Sequence, residues 1–584
     1  MFFTSGILIL AFVAAGIGVS QAMGSEDASA LAWDWLIAIS DTMGWFYVLA
    51  TAFFLVFVIW LMFSRYGKVK LGADDSKPEF GTIAWFAMLF TAGMGIGLVF
   101  WGTAEPTGYV TNGVVVGLSD NPDAQNPALQ AREAMDPSLF HWGFQPWAIY
   151  IVLGLALAYF SYRKGLPMRP AAAFYPLIGN RIYGGLGYLI DILAVLGTMF
   201  GLATSLGIGT QQINAGLARL SDAIPAESVA VQVGIIGVIT LVALVSVLVG
   251  IDKGVRRLSI VNLWMAAALL VFVFIAGPTA FIISGMFDWT GTYLSNLVNN
   301  SLTVANPETA EDHAAWQSAW TFFYWGWWIS WAPFVGMFIA RISRGRTIRQ
   351  FVVGTLFAPV GVSIAWFSTL GGSGLYYDIP LVNDLTQELG VDGFHEAVDD
   401  GEAGTIGAGG EGDALFRMLE FLPIASSVVW LATLLTILVV AIFFITSSDS
   451  GSLVIDMLTN GGDRNPVPYQ RAFWALLEGI VTAVILVGGG TGALMILRAT
   501  SVTTGLPFAV VLIFVAIGLA RALREENLAA LQAREMGIPA PTLSQYGGSP
   551  SQEGSGPEPS TAVNVSSSSE DTTEEQSNRG TGGE

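Results

Sequence analysis

Windows of about twenty apolar residues recur along the chain, and each is long enough to cross the hydrocarbon core of a membrane as one helix. Hydropathy predicts twelve such spans, near residues 3–22, 43–64, 83–107, 142–162, 184–217, 231–250, 258–285, 319–340, 351–372, 425–446, 470–490 and 500–522. The composition agrees, because 53% of the 584 residues are hydrophobic and only 12% are charged, against about 25% charged in a soluble domain. The sequence therefore predicts an all-α integral membrane protein with twelve transmembrane helices.

The composition also disfavours several classes of function. The chain contains no cysteine, which excludes disulfides, thiol nucleophiles and Cys-based metal sites. The three histidines, His141, His313 and His395, are far apart and have no metal-ligand spacing. A formal net charge of −20 argues against a nucleic-acid partner, because the phosphate backbone is itself negative.

Basic residues lie mainly on one side of the predicted spans. Of the 25 Lys and Arg residues, 21 follow even-numbered spans. The remaining four fall on the other side: Arg132, Arg219, Arg417 and Arg498. Because an excess of Lys and Arg marks cytoplasmic loops, we expect a plasma-membrane protein with both termini in the cytoplasm.

Two segments are acidic. The stretch after span 9, from Glu388 to Asp413, carries eight Asp and Glu residues and is expected to be a solvated outer loop. Residues 526–584 form an acidic tail rich in Ser and Gly. A segment of this composition buries too little apolar surface to fold, so we expect a disordered cytoplasmic tail.

Span 3 contains three glycines in five residues, Gly93, Gly95 and Gly97. Alternating small residues permit close packing of membrane helices. They also suit an unwound segment at mid-membrane, where the missing Cβ atoms let a ligand approach the backbone. Both interpretations remain open from the spacing alone.

Span 8 is unusually aromatic, because nine of the sixteen residues from Trp316 to Trp331 are Trp, Tyr or Phe. At about 100° per residue, five of these rings fall within one arc of about 140°: Phe323, Tyr324, Trp327, Trp328 and Trp331. Trp325 lies outside it. The cluster runs too deep for an interfacial belt, and it predicts an aromatic wall that faces a cavity.

Span 4 predicts a second wall, because Trp142, Trp147 and Tyr150 fall within about 140° of one another on a continuous helix. Two walls would form a box. A quaternary ammonium group donates no hydrogen bonds and is bound chiefly by ring faces, each worth about 2 kcal/mol when desolvated. Three or four rings thus approach the roughly 8 kcal/mol of a micromolar site.

Polar groups within the spans add further candidates. Thr446 and Ser447 in span 10 either bond back to the preceding helical turn or supply hard oxygen ligands to sodium. Asp449, at the inner end of this span, is expected to pair with a cytoplasmic arginine. Asp191 and Glu478 are ionisable groups within spans and are functional candidates for that reason.

Together these motifs resemble the betaine/choline/carnitine transporter family, and within it most closely the sodium-coupled glycine betaine symporters. The matching stretches are Gly93–Gly97, Phe100–Pro106, His141–Tyr150, Phe323–Trp331, Arg341–Arg346 and Thr446–Asp449. The resemblance covers about residues 1–525.

The resemblance implies a fold with two N-terminal helices and an inverted repeat of two five-helix units, as in neurotransmitter:sodium symporters. The implied divisions are residues 1–82 for the two N-terminal helices, 83–285 and 314–525 for the repeats, 286–313 for an amphipathic connector and 526–584 for the tail. The family is often trimeric, so a homotrimer in membrane lipid is implied as well.

The resemblance also implies site residues. The walls of the substrate box would be Trp142, Trp147, Tyr150 and Trp328, with Trp327, Trp331, Phe323, Met94 and Gly97 along the same path. One sodium site would combine Thr91, Met94, Phe443, Thr446 and Ser447. For a second sodium site Thr198 matches, but Leu202 replaces the other threonine. Sodium-independent exchangers of the family carry an arginine in span 5, and here no Lys or Arg lies between Arg181 and Arg219.

We therefore expect sodium-coupled import of glycine betaine or a similar zwitterionic osmolyte by alternating access, with no cofactor other than the coupling ion. Alternatives are choline, ectoine or a dimethylsulfonium compound, or coupling to protons. A channel would need a continuous polar pore, and an enzyme would need a nucleophile, metal cluster or acid–base pair. Choline transporters of the family carry aspartate at Gly97, so we expect a preference for betaine and a gain of choline uptake in Gly97→Asp.

Overall fold

The computed structural model describes residues 1–93, 95–112, 126–249, 252–463 and 467–535. Apart from one antiparallel bridge between Lys70 and Thr347, the regular secondary structure of these residues is helical. The α-helices in chain order are α1 (Phe2–Met23), α2 (Ser25–Phe63), α3 (Thr82–Gly93), α4 (Ile96–Thr111), α5 (Pro127–Trp142), α6 (Phe144–Ala158), α7 (Tyr175–Ile178), α8 (Gly185–Leu220), α9 (Val229–Val249), α10 (Asp252–Ala276), α11 (Thr279–Leu302), α12 (Glu311–Gln317), α13 (Phe323–Arg341), α14 (Ile348–Asp399), α15 (Ala414–Phe421), α16 (Ser426–Thr459), α17 (Pro468–Gly489) and α18 (Ala493–Glu535).

Ten helical segments of the described residues are long and apolar enough to cross a membrane, and each corresponds to one predicted span. The other two predicted spans are not among them. Span 3 is divided into the short helices α3 and α4, and span 8 coincides with α13, whose many Trp, Tyr, Gly and Pro residues lower its hydropathy. The all-helical membrane architecture is confirmed, and the count of twelve stays a prediction.

Large apolar side chains face outward on the peripheral helices. Phe3, Phe63, Trp264 and Ile275 are each at least 70% exposed. Such a surface would promote aggregation in water, whereas it is the expected surface of a bundle that faces lipid. The bundle interior holds polar groups instead, since Glu105, His141 and other hydrogen-bonding side chains are fully buried.

The helix predicted for span 4 is broken at Gly143. The backbone there turns with φ −94° and ψ −131°, and α5 ends where α6 begins one residue later. A Cβ at Gly143 would lie 2.3 Å from Tyr293 Oη and 2.4 Å from Leu139 O, while Tyr293 Oη accepts a hydrogen bond from the Phe144 N–H at 2.9 Å. The prediction of one continuous helix through Trp142 is therefore wrong, because α11 packs against the chain at this point.

The first part of the acidic stretch after span 9 is helical up to Asp399, so the prediction of a loop is wrong there, whereas most of the acidic residues are exposed as predicted. Helix α14 continues to Asp399 across a kink at Gly390, where φ is 75°. Val382 and Thr386 before the kink and Phe394 after it are buried, while the acidic residues of the stretch point mainly to the surface. Packing of these buried side chains supports the helix on both sides of the kink.

Two other boundaries also differ from the prediction. The amphipathic connector begins at Thr279 as helix α11 and ends at Leu302, rather than spanning residues 286–313. The tail predicted to be disordered from residue 526 is helical as far as Glu535, because Glu526 pairs with Arg163 at 2.6 Å and with Lys164 at 2.9 Å. The tail beyond Glu535 lies outside the described residues.

Candidate functional site

The aromatic face predicted on α13 is present as a stack of rings. The centroids of Phe323 and Trp327 lie 5.4 Å apart and those of Trp327 and Trp328 lie 4.6 Å apart, with both pairs inclined by 15°. Trp331 meets Trp327 at 6.1 Å in an edge-to-face contact. Trp325 points elsewhere and packs on Phe140 at 5.2 Å, as the helical arc predicts.

Three rings from α5 and α6 meet this stack. Trp142 stands edge-on to Trp328 at 4.8 Å, Tyr150 stands edge-on to Trp328 at 6.4 Å, and Trp147 meets Tyr150 at 5.7 Å. The structure thus brings all four predicted wall residues into one cluster, which we call the aromatic cluster: Trp142, Trp147, Tyr150 and Trp328. None of the four is more than 4% exposed, so the cluster is closed to solvent.

Close helix packing assembles the aromatic cluster. A Cβ at Gly154 of α6 would lie 2.6 Å from Ile339 Cγ1 and 3.0 Å from the Gly336 carbonyl of α13. Glycine on both helices therefore lets their backbones approach, as small residues do in membrane helix pairs. This close packing brings the aromatic rings of α6 and α13 next to each other.

Gly97 of α4 lies against both walls. A Cβ there would stand 2.7 Å from Trp327 Cη2 and 2.9 Å from Trp142 Cη2, closer than ordinary van der Waals contact. Any side chain at this position forces one of the indoles to move. Aspartate at this position therefore requires Trp142 or Trp327 to shift, and the effect of Gly97→Asp stays a prediction.

Three indoles of the two walls, Trp142, Trp327 and Trp328, are each fixed by a hydrogen bond through the single N–H. Trp328 Nε1 donates to the His141 carbonyl at 3.0 Å. Trp327 Nε1 lies 3.3 Å from both the Gly201 carbonyl and Ser205 Oγ. Trp142 Nε1 donates to Glu105 Oε2 at 2.8 Å. The orientation of the rings is therefore set by polar groups outside the cluster.

Glu105 of α4 is fully buried and contacts both aromatic walls, although the sequence analysis does not single it out as a site residue. Its carboxylate accepts hydrogen bonds from Tyr109 Oη at 2.8 Å, His141 Nδ1 at 2.8 Å, Trp142 Nε1 at 2.8 Å and Tyr324 Oη at 2.6 Å. The available signal was an acidic residue inside a predicted span. The sequence alone did not reveal that three of its four donors come from two other helices, α5 and α13.

The predicted sodium ligands are only partly described. Ser447 Oγ of α16 lies 4.0 Å from the position of a Cβ on Gly95, so this hydroxyl faces the break between α3 and α4. Thr446 Oγ1 donates to the Ile442 carbonyl at 2.9 Å and lies 3.2 Å from the Phe443 carbonyl. Met94 and the side chain of Thr91 lie outside the described residues.

The predicted second sodium site is not assembled in the same way. Thr198 Oγ1 donates to the Ala194 carbonyl at 2.8 Å. The Leu202 side chain lies against Gly451 of α16, where a Cβ would stand 2.2 Å from Leu202 Cδ1. An apolar contact therefore fills the position that the resemblance assigns to the other threonine.

Comparison with known proteins identifies the family. The sequence model of BCCT, the betaine/carnitine/choline family transporter, matches residues 1–528. The chain belongs to this family. It is therefore a multi-pass membrane transporter and not an enzyme.

Individual relatives agree with the family match. A glycine betaine/proline/choline/ectoine transporter of Vibrio parahaemolyticus is 43% identical over 486 residues, which cover 82% of this chain and 80% of that protein. A probable glycine betaine transporter of Desulfitobacterium hafniense is 38% identical over 526 residues, or 90% of this chain and 97% of that protein. A glycine betaine transporter of Acinetobacter baylyi is 39% identical over 494 residues, or 84% and 68%.

The other ionisable groups in the spans of this transporter have structural partners. Asp449 pairs with Arg471 at 2.8 Å, which confirms the predicted arginine partner. Asp191 pairs with Arg169 at 3.0 Å and accepts the Ala171 N–H at 3.0 Å. Glu478 accepts a hydrogen bond from Ser448 Oγ at 3.3 Å.

An ion pair on the predicted outer side of the transporter lies next to the aromatic stack. Arg498 of α18 pairs with Glu411 at 2.7 Å, and its guanidinium lies 5.5, 5.0 and 5.2 Å from the rings of Trp101, Trp320 and Phe323. Burial raises the pKa of Glu411, although the charge of Arg498 opposes the rise. A cavity of about 560 Å³ lies beside Glu411 rather than at the aromatic cluster.

Proposed function

We propose that this transporter imports glycine betaine or a closely related zwitterionic solute, coupled to sodium, through the aromatic cluster. The observation that carries the proposal is the convergence of four buried rings from α5, α6 and α13. A trimethylammonium group is recognised by ring faces, which gain strength where water is excluded. Relatives named as glycine betaine transporters support this choice of substrate.

Two buried donors beside the rings support a zwitterionic substrate. Tyr150 Oη and Trp331 Nε1 have no hydrogen-bond partner among the described residues. A buried donor without a partner costs about 1–3 kcal/mol, and the carboxylate of a betaine would satisfy such donors. One ligand would then use ring faces for its cation and N–H or O–H groups for its anion.

Alternating access follows from the burial of the aromatic cluster, because a ligand enters or leaves only after one side opens. We propose that the twelve predicted spans form the two N-terminal helices and the inverted repeat that the resemblance implies, within a homotrimer. The broken pair α3 and α4 supports this, because discontinuous helices line the substrate sites of such transporters. Both termini would lie in the cytoplasm, in agreement with the distribution of Lys and Arg.

Sodium coupling rests on the place where α16 faces the break after α3. Ser447 Oγ lies there, and the hydroxyl of Thr446 keeps lone pairs that a cation can use. Backbone carbonyls released at a helix break are further oxygen ligands. Thr198 is a lesser candidate, because the neighbouring position is occupied by Leu202.

Uptake of labelled glycine betaine into proteoliposomes, with and without an inward sodium gradient, tests the function. Trp328→Leu and Trp147→Leu should each weaken betaine binding by about 2 kcal/mol or more, since each removes one ring face. Fluorescence titration with betaine measures the change. The matched control is Trp474→Leu, because Trp474 is equally buried but packs on Phe473 at 5.2 Å, outside the aromatic cluster. Parental betaine binding in both cluster variants contradicts the assignment.

Choline is the second candidate substrate. The Vibrio parahaemolyticus relative is named for choline as well as glycine betaine, and the carboxylate of Glu105 accepts a hydrogen bond from Trp142 of the aromatic cluster. A nearby negative charge lowers the cost of burying a net cation. Competition of labelled betaine uptake by unlabelled choline distinguishes the two, and we expect betaine to compete more strongly.

A further inference from the structure

Glu105 lies where the two aromatic walls meet. We propose that Glu105 is a positioning residue, whose carboxylate holds the indoles of Trp142 and Trp328 in the orientation that a quaternary ammonium ligand requires. This inference rests on the proposed function, since it assigns a role within the same site. Glu105 itself does not belong to the aromatic cluster and acts through its neighbours.

The first step concerns the wall from α5. An indole has one N–H donor and no acceptor, and Trp142 gives this donor to Glu105 Oε2 at 2.8 Å. Both groups are at most 4% exposed, so no solvent competes for the bond. The direction of this single bond fixes the rotation of the ring whose edge meets Trp328.

The second step concerns the wall from α13. Tyr324 Oη donates to the same Glu105 oxygen at 2.6 Å, and the Tyr324 ring stacks on Trp328 at 5.8 Å with an inclination of 22°. On the other side, His141 donates to Glu105 Oε1 at 2.8 Å and its backbone carbonyl accepts the Trp328 N–H at 3.0 Å. Trp328 is therefore held through two neighbours of one carboxylate.

The third step concerns the acceptor. The four bonds divide evenly, with Tyr109 and His141 on Oε1 and Trp142 and Tyr324 on Oε2. An ionised carboxylate only accepts, so His141 Nδ1 is the donor toward Glu105, and His141 Nε2 lies 3.0 Å from Thr321 Oγ1. An ionised carboxylate accepts all four bonds, whereas an amide turns an NH₂ group toward two of the donors. Glu105→Gln thus disturbs one side of the network without changing its size.

A buried carboxylate with four donors would also stabilise the fold without any role in binding, so the test must separate the two. A double-mutant cycle does so, because only residues that act through each other give non-additive effects. Trp142→Phe keeps an aromatic face and removes the N–H donor to Glu105. Trp147→Phe makes the same change at a ring that Glu105 does not contact.

The experiment measures the Kd of labelled glycine betaine for the full-length purified protein. We expect Glu105→Gln to raise the Kd about tenfold or more, because hydrogen bonds to an ionised acceptor are the strong ones. Adding Glu105→Gln to Trp142→Phe should raise the Kd by a smaller factor than in the parent, because the part that acts through Trp142 is already lost, whereas adding it to Trp147→Phe should multiply the two effects. Multiplicative effects in both pairs, or a parental Kd in Glu105→Gln, overturn the positioning role.

Two further variants keep the result decisive. Asp378→Asn is the matched control, because this fully buried carboxylate also has neutral donors, the backbone N–H groups of Ile406 and Gly407. It should lower thermal stability and leave the Kd unchanged.

If Glu105→Gln does not fold, Tyr324→Phe replaces it in the cycle, since it removes one donor to Glu105 and keeps the stacked ring. A parent protein that does not bind betaine refutes the proposed function itself, which distinguishes the two failures.

Discussion

At residue scale, Gly97 decides how closely the two aromatic walls approach. Its Cα faces the tips of Trp142 and Trp327, and the two ring atoms lie within 3.0 Å of any added Cβ. We expect Gly97→Ala to raise the Kd for betaine about fivefold or more, since overpacking of a rigid interior costs about 1–3 kcal/mol. Titration of tryptophan fluorescence with betaine measures this change in the Kd.

Gly108 supplies the control for this change, because it lies in the same helix and a Cβ there would meet only Asn112 Nδ2 at 4.0 Å. Gly108→Ala should bind betaine like the parent. An unchanged Kd in Gly97→Ala would show that the indoles move freely and that their spacing is not critical. For Gly97→Asp we now expect loss of betaine uptake rather than a gain of choline uptake.

The rings could be predicted at this scale, whereas the groups that hold them could not. Five aromatic residues share one face of α13 because of the helical period, which the sequence displays directly. Glu105 lies about two helical turns from Gly97, and its sequence position gives no sign of its partners. Tyr109 follows it by one turn of α4, but His141 and Trp142 reach it from α5 and Tyr324 from α13, and no local pattern encodes that meeting.

At element scale, α16 places the hydroxyl of Ser447, next to Thr446, at the break between α3 and α4. We expect Thr446→Ala combined with Ser447→Ala to raise strongly the sodium concentration for half-maximal uptake, because two hard oxygens are lost without added bulk. Betaine affinity at fixed sodium should fall in parallel, since the two bindings are linked. Thr436→Ala is the control, because Thr436 is a buried threonine of the same helix whose hydroxyl bonds the Ala432 carbonyl at 2.9 Å. An unchanged sodium dependence would favour proton coupling.

The ion pair between Glu411 and Arg498 connects the segment before α15 to α18, next to the ring of Phe323. We expect Glu411→Gln to release Arg498 and expose Phe323, which is fully buried. The chain contains no cysteine, so Phe323→Cys gives one site for a membrane-impermeant maleimide. Its labelling rate should rise severalfold in the Glu411→Gln background, because a buried arginine that loses its carboxylate partner is destabilised.

The exposed pair of Arg132 and Asp288, each side chain more than 40% exposed, provides the comparison for this measurement. Asp288→Asn should not alter the labelling of Phe323→Cys, since exposed ion pairs contribute little. If Phe323→Cys is labelled at the same rate in the parent and in the Glu411→Gln background, the pair of Glu411 and Arg498 does not control access to Phe323.

Helices with a strong hydrophobic period were predicted well, whereas the positions where helices break or continue were not. The break at Gly143 depends on Tyr293, which is 150 residues away in the chain. The continuation of α14 beyond span 9 buries three side chains, between which three acidic residues are interspersed. In both cases a distant contact overrides the local composition.

At the scale of the whole molecule, the twelve-span count depends on spans 3 and 8. These two are not among the ten helical segments of the described residues that are long and apolar enough to cross a membrane. If α3 with α4 and α13 both cross the membrane, exposed positions on either side of each must lie in different compartments. Glu79 and Ala128 flank the first, and Glu308 and Arg344 flank the second. The distribution of Lys and Arg places Glu79 and Arg344 inside.

Single cysteines at these four positions test the count, because the parent chain contains no cysteine. In intact cells an impermeant maleimide should label Ala128→Cys and Glu308→Cys, and should label Glu79→Cys and Arg344→Cys only after the membrane is permeabilised. If neither segment crossed, Ala128 would share a compartment with Glu79, and Glu308 with Arg344. The termini would still lie on one side, since removing two spans preserves parity. Labelling on both sides of each segment, rather than the position of the termini, therefore determines the topology.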